Sequence, residues 1–285
     1  MTKAFSFLAM LLLTGCSINI TPDTFIYQDD VVEKNLNLAA IKSELTLSDA
    51  AIEVTAVSLT THDGLTLKGI QLLHEEALAN LIFFGGSGMK ISTSSGILRK
   101  FASLPVNVIW FDYRGTGVSE KKEALTVKDM QIDALAVFDF ATDNLPSTLP
   151  TVIHGLSMGS LLASYTANQR GIDALVLDGA ISSVPELVDN VVPSWSKLFS
   201  TVTVATELTT IDNIELVKHY HAPLLLLVGD DDSTTPIEFS QALYDASASA
   251  NKTLTILADT GHGESMKKDE ALKAYTNFIK DFRRL

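Results

Sequence analysis

The pentapeptide Gly155-Leu156-Ser157-Met158-Gly159 follows the run Thr151-Val152-Ile153 and precedes a helix-compatible stretch from Leu161 to Asn168. A strand enters it, a helix leaves it, and a serine stands at the bend. So sharp a turn strains its central residue and crowds the positions two residues either side, which must then carry little or no side chain. The strain lifts the Ser157 hydroxyl clear of a sheet and aims the Met158 amide at whatever the serine attacks. A plain strand-to-helix turn with a capping serine uses the same residues, so the rest of the chain must decide between the two readings.

Beyond Glu75-Glu76 the chain alternates continuous apolar runs with helical patterns, which marks a mostly parallel sheet covered by helices on both faces. Strands are expected at Asn80–Phe84, Val106–Phe111, Thr151–Ile153, Ala174–Leu177, Leu224–Val228 and Leu254–Leu257. Helices are expected near Ile91–Ala102, Val127–Thr142, Ser160–Gln169, Ile237–Ala248 and Ser265–Phe282. Val54–Leu59 and Leu65–Leu73 alternate around His62-Asp63-Gly64 and predict an antiparallel hairpin at the front of the domain. The interval from Asp178 to Pro223 exceeds what one helix connection needs and scatters Pro185, Pro193, Trp195 and Phe199 among polar residues. A short cap over residues 183–220, at the carboxyl ends of the strands, is the expectation.

With 285 residues, 46% hydrophobic and 19% charged, the chain has material for one α/β domain over residues 51–285. A net charge of −13 argues against nucleic acid or another polyanion as partner. One cysteine excludes an intrachain disulfide. That residue, Cys16, ends a short basic start and an apolar run from Ala4 to Leu13 that is too brief to span a bilayer. Leu13-Thr14-Gly15-Cys16 resembles the lipobox of bacterial lipoproteins. The resemblance implies a signal peptide over residues 1–15, a diacylglycerol on Cys16 and a tether over residues 16–50. Ser17 after the cysteine implies sorting to the outer membrane, with the protein facing the periplasm and held by acyl chains alone.

Ser157 needs a base to take its proton and a carboxylate to orient that base. Gly261-His262-Gly263 follows the last expected strand, and its glycines leave an imidazole room to move, so His262 is the expected general base and acid. Strand alternation aims His154 away from Ser157; His219 and His221 look like a solvated helix end, and His62 and His74 fall in the hairpin region. The strand Leu224–Val228 empties into Asp230, Asp231 and Asp232, any of which could orient the base.

Together with Phe111-Asp112-Tyr113-Arg114-Gly115-Thr116-Gly117-Val118-Ser119 and the loop Gly229 to Pro236, these motifs resemble those of serine hydrolases of the α/β-hydrolase fold. The resemblance implies Asp232 as the acid, with Asp178 an alternative because some members draw the carboxylate from that strand end. It implies Met158 and Gly86 as oxyanion donors, Ser87 being the alternative to Gly86, in a segment where Phe84 stands in place of a frequent histidine. Asp112 and Arg114 are expected to shape a loop beside the site. Neither a cofactor nor a metal is implied, since Lys90 lacks a phosphate-loop context and no residue set has metal-ligand spacing. The implied reaction is hydrolysis of a carboxylic ester, a small-molecule acyl substrate, through an acyl-enzyme. Thioester or peptide cleavage and a non-catalytic lipid-anchored binder are the alternatives.

Overall fold

The computed structural model describes residues 16–45, 51–193, 195 and 200–282. The expected leader lies outside these residues, as do 46–50 of the expected tether and 194 and 196–199 of the expected cap. The chain opens with β1 (Cys16–Ile20), α1 (Pro22–Phe25), α2 (Leu38–Leu45), β2 (Ile52–Thr60) and β3 (Thr66–His74). Then come β4 (Ala79–Phe84), α3 (Ile91–Ala102), β5 (Val106–Phe111), α4 (Val127–Asn144), β6 (Thr151–Leu156) and α5 (Met158–Gln169). After β7 (Ala174–Asp178) the interval to residue 223 holds α6 (Val184–Val191), β8 (Ser200–Val204), α7 (Thr206–Thr209) and α8 (Asn213–Val217). The chain closes with β9 (Leu224–Gly229), α9 (Ile237–Ala246), β10 (Lys252–Leu257) and α10 (Asp269–Phe282).

Eight strands form one sheet in the order β10-β9-β7-β6-β4-β5-β3-β2. Only β3 runs against the rest, pairing antiparallel with both β2 and β5. Its hairpin turns at Gly64, whose φ of 87° is the left-handed backbone that glycine adopts without cost. Helical connections carry each parallel strand to the next, as parallel pairing requires. The expected helix over residues 265–282 is broken: a 3-10 turn at Ser265–Lys267 ends in extended Lys268 (φ −90°, ψ 133°) before α10 starts.

Strand alternation explains the two-sided core. Ile82, Phe84, Ile109, Ile153, Leu175, Leu177, Leu224 and Leu226 face one layer, with α4, α5, α6, α8 and α9. Leu81, Phe83, Val108, Trp110, Val152, Val176, Leu225 and Leu227 face the other, with α2, α3 and α10. Because both faces are covered, the inner strands read as unbroken apolar runs rather than alternating ones. Their carboxyl ends open on one edge, where ligands bind in open α/β sheets.

β1 and β8 form a separate parallel pair, with Cys16 opposite Ser200 and Ile20 opposite Val204. The stretch expected as a tether therefore carries short elements, and these lie on the domain. Ile26 and Ile41 are buried in the two halves of the core.

Candidate active site

Ser157 sits between β6 and α5 with φ 53° and ψ −119°, a conformation costly for a residue with a side chain. The two glycines are sterically required. A Cβ at Gly159 would stand 2.0 Å from the Phe84 carbonyl oxygen, and one at Gly155 would stand 2.5–2.6 Å from Gly159, Ala163 and Ser160. The Ser157 amide donates to the Asp178 carbonyl at 2.9 Å, which ties the bend to the neighbouring strand end.

Three loops converge on the serine. Ser157 Oγ lies 2.9 Å from His262 Nε2, and His262 Nδ1 lies 2.8 Å from Asp232 Oδ2. With Nδ1–H donating to the carboxylate, Nε2 is left as acceptor for the serine proton. Asp232 is buried, and Oδ1 accepts the Thr234 and Thr235 amides at 3.0 and 2.8 Å. Burial alone would raise this carboxyl; hydrogen bonds from His262 and from the Thr235 amide outweigh it and hold Asp232 below the ordinary carboxylate range. It therefore stays ionised across the neutral range.

The other acids have different places. Asp230 accepts the Thr260 amide at 3.3 Å and so braces the histidine loop, while Asp231 is exposed. Asp178 turns its carboxylate to the opposite layer, where His154 Nε2 stands 3.6 Å away. His154 is fully buried there among Phe83, Phe101 and Tyr275, with ring centroids 5.3, 5.5 and 5.6 Å away. His219, His221 and His62 are exposed, and His74 Nδ1 accepts the Glu76 amide.

Met158 opens α5, so its amide has no partner within the helix. Gly86 comes close from the β4 loop: a Cβ there would stand 3.6 Å from Ser157 Cβ. Ser87, the alternative, lines the same cleft, and its Oγ accepts the Tyr27 amide at 3.4 Å. Tyr113 Oη donates to the Gly85 carbonyl at 2.7 Å and holds this loop in place. Asp112 accepts the Ile91 and Val118 amides, and Arg114, fully buried, forks onto Asp133 at 2.5 and 2.6 Å and reaches Asp63 at 3.1 Å. His62, Asp63 and Asp129 bring ligand atoms within 4.8 Å of one another, but both carboxylates already face Arg114 and Lys122.

Two participants were not expected from the sequence. Thr235 Oγ1 donates to Asp232 Oδ2 at 2.8 Å and lies 3.1 Å from His262 Nδ1, so it fixes the geometry between acid and base. Phe25, far upstream in α1, lines the cleft over Ser157. That cleft, about 450 Å³, is walled by Phe25, Met89, Leu156, Met158, Ile181 and Leu187, and His262 also lines it. The expected cap thus contributes Leu187 to the cleft wall.

Comparison with known proteins agrees with this architecture. The family described as serine aminopeptidase, S33, matches residues 75–213, a span that includes Ser157 and ends before Asp232 and His262. Protein bem46 of Schizosaccharomyces pombe is 25% identical over 236 residues, 80% of this chain and 77% of that protein. Lysophosphatidylserine lipase ABHD12 of Macaca fascicularis is 28% identical over 63% of this chain, which spans only about half (49%) of its length. Among solved structures, the esterase Pf2001 of Pyrococcus furiosus superposes with a TM-score of 0.70 at 19% identity, covering 90% of this chain and 98% of that one. With its eight-stranded sheet, strained serine bend and flanking helices, the chain is a hydrolase of the α/β-hydrolase fold.

Proposed function

We propose that the chain is a serine esterase that cleaves a carboxylic ester with an apolar acyl group through an acyl-enzyme. One observation carries the reading: the unbroken relay Ser157 Oγ, His262 Nε2, His262 Nδ1 and Asp232 Oδ2, with contacts of 2.9 and 2.8 Å. His262 takes the hydroxyl proton as Ser157 attacks the carbonyl, and the Met158 and Gly86 amides receive the oxyanion. His262 then protonates the leaving alcohol, which departs. Water, activated by the same imidazole, releases the acid and restores Ser157.

The apolar cleft walls favour an acyl chain over a polar group, and none of the described residues lining the cleft is a carboxylate that could hold a peptide's α-ammonium. The names of the relatives, a lysophosphatidylserine lipase and an esterase, point to the same bond. We read Cys16 as the lipid attachment that keeps the enzyme in the bacterial envelope, outer membrane, facing the periplasm.

The test pairs a fluorophosphonate probe with p-nitrophenyl esters. Labelling and turnover in the wild type, both abolished in Ser157→Ala, are expected; an unlabelled folded protein, or faster cleavage of aminoacyl anilides than of esters, would refute the proposal. Cys16→Ala should move the protein from the membrane to the soluble fraction, and retention of the variant in the membrane fraction would remove the anchor.

A further inference from the structure

The segment from Thr21 to Asp29 is a fixed strap across the mouth of the site. Asp23 Oδ1 accepts the Leu125 amide at 3.1 Å ahead of α1's end. On the far side, Asp29 donates its amide to the Gly115 carbonyl at 2.7 Å, and its carboxylate accepts the Gly117 amide at 2.8 Å and Lys90 Nζ at 3.0 Å. Ile26 between them is buried in the core. Pinned on both sides, the strap presents Phe25 to the cleft as a wall.

Against that wall lies a second, mostly apolar cavity of about 30 Å³, lined by Ile26, Val127, Met130, Leu161, Leu162 and Ile211 and by the polar Gln131. Phe25 and Met158 line both spaces and therefore stand between them. Since one water-sized group needs roughly 10–15 Å³ by this measure, the inner cavity holds about two such groups. The chemistry orients the substrate relative to it. His262 must reach the leaving oxygen, so the alcohol lies toward His262 and Gly263, which leaves the apolar walls, Phe25 and Met158 among them, to the acyl group.

We propose that Phe25 is a specificity-determining residue that ends the acyl site and sets the longest acyl chain Ser157 accepts, the α1 strap being part of the catalytic cleft. This rests on the ester reading above. Removing the ring joins the cleft to the inner cavity, and each further methylene buried there raises kcat/KM about fourfold.

The experiment measures kcat/KM for p-nitrophenyl acetate through decanoate with the detergent-solubilised full chain and with Phe25→Ala, Phe25→Leu and Phe25→Trp. Fluorophosphonate labelling rates serve as the check that the serine relay is intact. The expected result is a rise of at least tenfold in the decanoate-to-acetate ratio for Phe25→Ala, a smaller rise for Phe25→Leu and a fall for Phe25→Trp. An unchanged ratio in all three variants, or a uniform loss across the series, would overturn the proposal while leaving the esterase reading in place. A wild type that is neither labelled nor active on any ester would overturn both.

Discussion

Replacing Asp232 with asparagine changes one atom and should reverse the direction of the relay. Oδ1 accepts two backbone amides, from Thr234 and Thr235, so the amide oxygen of asparagine must occupy that place. Its NH₂ group then takes the place of Oδ2, where the His262 ring nitrogen and the Thr235 hydroxyl now donate at 2.8 Å. The Thr235 hydroxyl can rotate away; the imidazole can avoid a donor–donor clash only by moving its proton to Nε2, which faces Ser157. That tautomer cannot accept the serine proton. Keeping the productive tautomer instead forfeits a hydrogen bond to a charged group, about 1.5–3 kcal/mol, and leaves a buried donor unpaired, about 1–3 kcal/mol. Together these correspond to a fall in kcat/KM of about 10²–10⁴. The assay is ester hydrolysis at neutral pH with the protein's thermal midpoint as a control for folding. Asp178→Asn should stay within about tenfold of wild type, because its carboxylate faces His154 rather than His262. An Asp232→Asn enzyme that keeps more than a tenth of its rate, or an equal loss in Asp178→Asn, would refute the reasoning.

Three further changes probe the surroundings. Thr235→Val removes one donor to Asp232 and should lower kcat by about tenfold with KM little changed, Thr235→Ser restoring it, since such a bond is worth about 1.5–3 kcal/mol and the rate senses part of it. Burial pushes the Asp112 carboxyl up to about 6, against which the Ile91 and Val118 amides pull it down. The folded state thus holds a proton the unfolded chain has released, and this contribution to stability, full below the unfolded value, is lost as pH rises through about 6. Asp112→Asn should therefore gain in Tm relative to wild type between pH 4 and 7 in differential scanning calorimetry; a constant gap would refute the assignment. Arg114→Met leaves Asp63, Asp129 and Asp133 facing one another without their buried cation and should cost about 3–5 kcal/mol, a fall in Tm of roughly 10 °C. A fall under about 2 °C would show that the cluster is not coupled to global unfolding.

The parts of the molecule legible in the sequence are those whose signal is local. β4, β5, β6, β7 and β9 are apolar runs because both sheet faces are covered, and Gly155 and Gly159 declare the bend because nothing larger fits beside Phe84 and Ala163. Asp232 could be separated from Asp230 and Asp231 only through the family resemblance, since periodicity gives three adjacent carboxylates no distinct roles; hydrogen bonds to Thr234, Thr235 and His262 distinguish them in space. What stayed hidden depends on distant partners. β1 and β8 are short strands whose only ladder, among the described residues, is with each other, across most of the chain. Phe25 lies in a single helical turn after Pro22, and no spacing rule connects it to Ser157. Thr235 reads as an ordinary loop residue until Asp232 and His262 stand beside it.

The strap has a practical corollary for anyone preparing this enzyme. Trimming the gene at Ala51, where the hairpin and sheet begin, would discard Asp29 along with its grip on Lys90, Gly115 and Gly117, and would unroof the serine by taking Phe25 away. A shortened version should instead start no later than Ile20, keeping both the wall that Phe25 gives the cleft and the clasp that holds the wall in place.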